Sequence, residues 1–160
     1  MEIKEIKSNK KQYIDLLLLA DEQESMIDRY LERGIMYILI DKGKVRSECV
    51  ITVENGNTVE IKNIATYPED QGKGYAKHLI NFIAKKYQNK YQILQVGTGD
   101  SPLTIPFYEK CGFKRSGKIK DFFVKNYDHP IFEAGHQLVD MIYLSNRLNY
   151  KVGFIDGRKY

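Results

Sequence analysis

The stretch that decides the fold is residues 58–87, TVEIKNIATYPED (58–70), QGKGYA (71–76) and KHLINFIAKKY (77–87). Its first part alternates like a strand, with Val59 and Ile61 on one face. The alternation then slips in phase so that Ile64 follows, which predicts a bulge near Asn63. Its last part places Leu79, Ile80, Ile83 and Ala84 at helical spacing. Between the two, Gly72 and Gly74 allow a sharp turn that bares backbone amides. A strand, a glycine turn and a helix start make an anion site, because the first N–H groups of a helix lack partners and carry partial positive charge. Phosphate is the usual guest. No window matches the P-loop spacing, and Lys77 stands where a dinucleotide fingerprint needs its third glycine.

Downstream, Tyr91 to Val96 reads as a short buried strand and GTGDSP (97–102) as a loop. A helix follows from about Leu103 to Cys111 and stops at Gly112. Two motifs frame this region: Gln71, Gly74 and Ala76 in a Q/R-x-x-G-x-G/A pattern, and FYEKCGF (107–113). In this order, with a strand between them, they resemble the acyl-CoA site and late signature of the GNAT superfamily of N-acyltransferases. The resemblance spans residues 1–148 as a single domain, leaving 149–160 as a polar tail. It implies an α/β (α+β) fold: a mixed, mostly antiparallel sheet flanked by helices and splayed around an acyl-CoA cleft.

The implied reaction moves an acetyl group from acetyl-CoA to a primary amine of a small molecule or peptide. An amine with a pKa near 10.4 is mostly protonated at neutral pH and must lose a proton before it attacks. The carbonyl oxygen then needs a donor already aimed at it, and the departing thiolate needs a proton. By the resemblance, the amides of Gly72, Lys73, Gly74, Tyr75, Ala76 and Lys77, opened by Gln71, cradle the pyrophosphate. The amide of Ile64 serves the oxyanion, and Ile64 and Thr66 contact the cosubstrate. Tyr108, placed by FYEKCGF, protonates the thiolate; the alternative for it is packing with one hydrogen bond. Glu60, four residues before Ile64, stands where some members carry a strand base, and ordered water is the alternative. Many relatives have Asn seven residues before the tyrosine; here that residue is Ser101, which either replaces the asparagine hydrogen bond or leaves that contact absent. His78, His129 and His136 have no supporting spacing.

Upstream, residues 2–7 alternate weakly as a first strand. Ser8 or Asn9 caps a helix through about Ala20 that aligns Tyr13, Leu16, Leu17 and Ala20 on one face. Asp21 and Glu24 resemble a capping box opening a second helix that Gly34 ends. Met26 and Tyr30 on that helix are core residues. Two strands follow, 35–40 and 45–54, around DKGK (41–44), and Asn55-Gly56 predicts a hairpin, because both turn positions tolerate positive φ. Phe113 to Ser116 begins a later strand, and 140–148 reads as the last. Between them lies a long aromatic connection with Phe122, Phe123, Tyr127, His129 and Phe132, either a lid or a packed insert. Its DFF (121–123) and PIFE (130–133) also look like those of a bacterial GNAT subset.

The net charge of +4 is spread without a basic patch bearing interleaved aromatics, which argues against nucleic acid as a partner. LLLLA (16–20) is too short to span a bilayer, and Met1 leads into no signal-like segment. Cys49 and Cys111 lack metal-ligand spacing, so no metal is expected and a cytoplasmic chain is the simplest reading. The order, monomer or homodimer, is left open. A non-catalytic acyl-CoA-binding sensor or interaction module is the rival function.

Overall fold

The computed structural model describes residues 1–148, so the 149–160 tail lies outside the described residues. Strands β1 (Glu2–Ile6), β2 (Ile35–Asp41), β3 (Lys44–Asn55), β4 (Thr58–Thr66), β5 (Ile93–Gly99), β6 (Lys114–Ile119) and β9 (Met141–Arg147) form one sheet in the order β1-β2-β3-β4-β5-β9-β6. Every neighbouring pair is antiparallel except β4–β5, which is parallel. A parallel pair needs a crossover, and helix α3 (Tyr75–Tyr87) supplies it.

The unbroken apolar run in β2 follows from burial on both faces. Tyr37 and Leu39 turn to the α3 side, where Leu79, Ile80 and Ile83 pack with Cys49, Val59 and Leu94. Met36 and Ile38 turn to the other side, beneath α1 (Ile14–Ala20) and α2 (Glu24–Ile27), with Leu17, Leu31 and Val50. Burying a side chain such as Leu79 contributes about 2 kcal/mol.

Two structural details open the middle of the sheet. Val50 pairs with Asn63 and Ile51 with Ile61, which leaves Lys62 as the extra residue of a bulge next to Asn63. Pairing between β4 and β5 also ends at Ile61–Val96, while β5 continues against β9 to Gly99. From Lys62 to Thr66, the side of β4 turned toward β5 has no ladder partner there.

Several local expectations are corrected. Asn9 takes a left-handed conformation and gives no side-chain cap; a 3-10 turn (Lys10–Tyr13) precedes α1, with Leu16 and Leu17 buried and Ala20 exposed. The second helix is short, and the Asp21–Glu24 box does not form, since the N-cap position belongs to Gln23. The buried Lys10 ammonium, bonded to the carbonyls of Leu31 (2.9 Å) and Gly34 (2.7 Å), closes the turns after α2. The 55–58 hairpin forms, but Asn55 pairs with Thr58, and neither Asn55 nor Gly56 has positive φ. Asn55 Oδ1 instead accepts the Asn57 N–H at 2.7 Å, an Asx turn.

GTG (97–99) belongs to β5 and is not a loop. A Cβ at Gly99 would lie 2.5 Å from Leu138, and one at Gly97 would lie 2.6 Å from Met141 Sδ. These glycines admit the segment after β6, which is no bare loop. It holds α5 (Phe122–Asn126) and a separate hairpin of β7 (Phe132–Glu133) and β8 (His136–Gln137). Phe123, Ile131 and Leu138 form its small core, with Phe122, Tyr127 and Met141 against it.

Candidate active site

The opening between β4 and β5 is a cleft of about 740 Å³. Its walls are Ile61–Thr66 of β4, Val96–Gly99 of β5, the turn before α3, helix α4 (Ile105–Lys110), and residues of the α1–α2 junction and the α5–β8 segment.

At one end, Gly72 (φ +80°) and Gly74 (φ +86°) hold left-handed conformations that a Cβ would strain, and Gly74 sits at the N-cap of α3. Space beside both is open. Gln71 Nε2 donates to the Thr66 carbonyl at 3.2 Å and closes the turn onto the end of β4. Tyr75 is buried, and its hydroxyl donates to Asp41 Oδ2 at 2.7 Å, which anchors the first turn of α3 and holds the Asp41 carboxyl below its ordinary range. Gln71, Gly72 and Tyr75–Lys77 line the cleft. Lys73 instead reaches back to Asp70 at 3.4 Å, where Arg46 also pairs at 2.9 Å. Thr66 shares a 2.9 Å hydrogen bond with Ser47.

Across the cleft Tyr108 rises from α4, with its ring edge-on to Phe107 (5.2 Å) and Phe113 (5.8 Å). Its hydroxyl bonds to no described residue, and burial pushes the phenol well above its ordinary value. It is therefore a proton donor throughout the neutral range. Ile64 lines the same cleft from the unpaired edge of β4.

Glu60 and Ser101 are not brought to this cleft. Glu60 faces Thr52 across the β3–β4 ladder, and its carboxylate accepts from Gln95 Nε2 at 2.7 Å and pairs with Lys62 at 3.0 Å. Ser101 Oγ accepts the Leu103 N–H at 3.1 Å and is taken up by the turn into α4. Two cleft residues had no role from sequence. Asn63 is buried, with Nδ2 donating to Leu17 O (3.1 Å) and Tyr30 Oη (3.0 Å) while Oδ1 stays unpartnered. Glu133 belongs to the PIFE stretch, which was a signal without a chemical assignment. Among the described residues, no His, Cys, Asp and Glu group is arranged to hold a metal ion, and no helix is long and apolar enough to cross a membrane.

Comparison with known proteins agrees with this geometry. Residues 32–115 match the family model described as Acetyltransferase (GNAT) domain. The N-acetyltransferase YvbK of Bacillus subtilis (strain 168) is 39% identical over 132 residues, 81% of this chain and 85% of that protein.

The chain belongs to the GNAT acetyltransferase family.

A GNAT acetyltransferase of Elizabethkingia anophelis with acetyl-CoA bound superposes with a TM-score of 0.86 at 35% identity, over 92% of this chain and 97% of that one. A Bacillus subtilis acetyltransferase in complex with CoA gives 0.83 at 36% identity, over 92% and 98%. The mostly antiparallel seven-stranded sheet is thus the GNAT fold, and the chain is an acyl-CoA-dependent acetyltransferase of this family.

Proposed function

We propose that this GNAT acetyltransferase uses acetyl-CoA to acetylate a primary amine by direct attack on the thioester. One observation carries the reading: the glycine cradle, the unpaired edge of β4 at Ile64 and the Tyr108 phenol all face one cleft. The acetyl-CoA and CoA held by similar proteins support the choice of cosubstrate.

The pyrophosphate lies on the amides from Gly72 to Lys77, where unpartnered N–H groups and the dipole of α3 favour negative charge. The thioester then reaches β4, whose N–H at Ile64 faces the developing oxyanion. The acceptor arrives as an ammonium, loses one proton to water and attacks the carbonyl carbon. As the tetrahedral adduct collapses, the C–S bond breaks, Tyr108 gives its proton to the sulfur, and the amide nitrogen's remaining extra proton restores the phenol through water. The sum is R–NH3⁺ plus acetyl-CoA giving the N-acetylated amine, CoA-SH and H⁺. Glu60, tied to Gln95 and Lys62, takes no part in this route.

The test is calorimetric titration with acetyl-CoA, followed by thiol release across a panel of primary amines. Saturable binding with amine-dependent thiol release is expected. Binding without release above the rate of thioester hydrolysis, whatever the amine, would replace transfer by a binding function.

A further inference from the structure

We infer that the acceptor is a cationic amine carried on an apolar or aromatic body, and that Glu133 is the residue that selects it. The inference rests on the acetyltransferase reading and concerns the walls of the cleft given by the α1–α2 junction and the α5–β8 segment.

Three carboxylates belong to those walls, Asp21, Glu22 and Glu133, besides Asp70 in the turn before α3, which pairs with Arg46. Two are already engaged. Asp21 accepts from the hydroxyls of Tyr30 (2.9 Å) and Tyr127 (2.7 Å), and Glu22 pairs with His129 Nε2 at 2.9 Å. Glu133 alone of the three has a buried oxygen, Oε1, with no partner among the described residues. A carboxylate oxygen shielded from water and left unpaired costs stability unless something arrives to pair with it. In a cleft that works on amines, an ammonium is the complementary partner.

The position of Glu133 fits that role. It lines the same cleft as Tyr108, and its charge adds to the rise of that phenol. A two-residue turn fixes it there: Glu133 pairs with His136 across Ala134 (φ +51°) and Gly135 (φ +78°), both left-handed as this hairpin turn requires. Two apolar residues lining the same cleft stand open to solvent, Leu19 at 50% and Phe132 at 58% exposure. They suit a flat hydrocarbon body, and a second carboxylate on that body would meet the charge of Glu133.

The probe pair is tyramine and tyrosine, which share ring and amine but differ by one carboxylate. With the CoA-loaded protein, tyramine is expected to bind and tyrosine to bind roughly tenfold or more weakly, the scale of one charged hydrogen bond. Glu133→Gln should weaken tyramine by a similar factor, raise its KM more than it lowers kcat, and leave acetyl-CoA affinity unchanged. Glu133→Asp should restore the preference for tyramine in part, which loss of local folding would not do. Equal binding of the two probes, no tyramine binding, or an unaltered Glu133→Gln protein overturns the inference. Absence of acetyl-CoA binding would instead overturn the acetyltransferase reading, so the two failures are distinct.

Discussion

Gln95 holds Glu60: the amide Nε2 lies 2.7 Å from Oε1, and Lys62 closes on the second oxygen at 3.0 Å. The pair joins β5 to β4 in the last stretch where the two strands still run together, since Glu60 and Gln95 are also ladder partners. Together they bridge the two strands at the apex of the split.

Glu60→Ala should therefore cost stability and spare chemistry. Removing the buried carboxylate leaves Gln95 and Lys62 short of a partner, worth about 1–3 kcal/mol. A denaturant melt should show that loss, while kcat in the thiol-release assay stays within about threefold of wild type, far from the 10²-fold or greater drop expected for a missing base. A drop of that size in a folded variant would return the base role to Glu60.

Gly74→Asp should weaken acetyl-CoA by more than about tenfold, or 1.4 kcal/mol, by setting a carboxylate where the proposed function puts the pyrophosphate. Gly74→Asn separates charge from conformation, because Asn tolerates the +86° φ about as well as Asp and carries no charge. Calorimetry should rank wild type, then Asn, then Asp. Equal affinities would remove the cradle.

Tyr108→Phe should lower kcat by roughly 10²-fold while leaving the fold and its stability nearly unchanged. The ring contacts to Phe107 and Phe113 remain, and no described residue loses a hydrogen bond. Burial raises the phenol, so the wild-type rate should show no loss from its ionisation up to about pH 10, the ordinary value for tyrosine. A high-pH limb in the neutral range that vanishes in the variant would contradict this.

Glu48 gives a pH prediction away from the chemistry. It is wholly buried on β3, both oxygens lack partners, and burial raises its carboxyl well above the ordinary 4.5. The folded chain thus keeps a proton that the unfolded chain releases. Stability is fully present below pH 4.5 and is lost as pH rises toward the folded value, by at most about 1.4 kcal/mol per pH unit. Glu48→Gln should flatten that slope and be the more stable protein at neutral pH. Asn63 Oδ1, also unpartnered, is on the adjacent strand one diagonal step away. Parallel pH–stability curves for the two proteins would refute the assignment.

What was legible in the sequence follows from range. The glycine cradle is written into adjacent residues, because positive φ at Gly72 and Gly74 is a local demand. The phase slip before Ile64 correctly announced a bulge, and FYEKCGF placed Tyr108 on a short helix facing the cleft. The direction of Glu60 was not legible, since it depends on Gln95 and on the face to which the bulge at Lys62 commits the strand. Asp21 had the spacing of a cap, but Tyr127, 106 positions further on, takes its carboxylate. GTG read as a loop because the reason for those glycines, the approach of Leu138 and Met141, lies some forty residues downstream.

The hairpin of β7 and β8 pairs only with itself, and the segment around it folds on three buried residues of its own. It meets the main sheet where Leu138 settles over the glycine of β5 at position 99. It also reaches the α1–α2 region, where Tyr127 donates to Asp21 and Asp128 N–H donates to Gln23. A chimaera carrying another family member's sequence between Lys120 and Asp140 should keep its grip on acetyl-CoA and change the amines it accepts. That outcome would mean that the thioester machinery stays constant while a segment of roughly twenty residues sets the substrate.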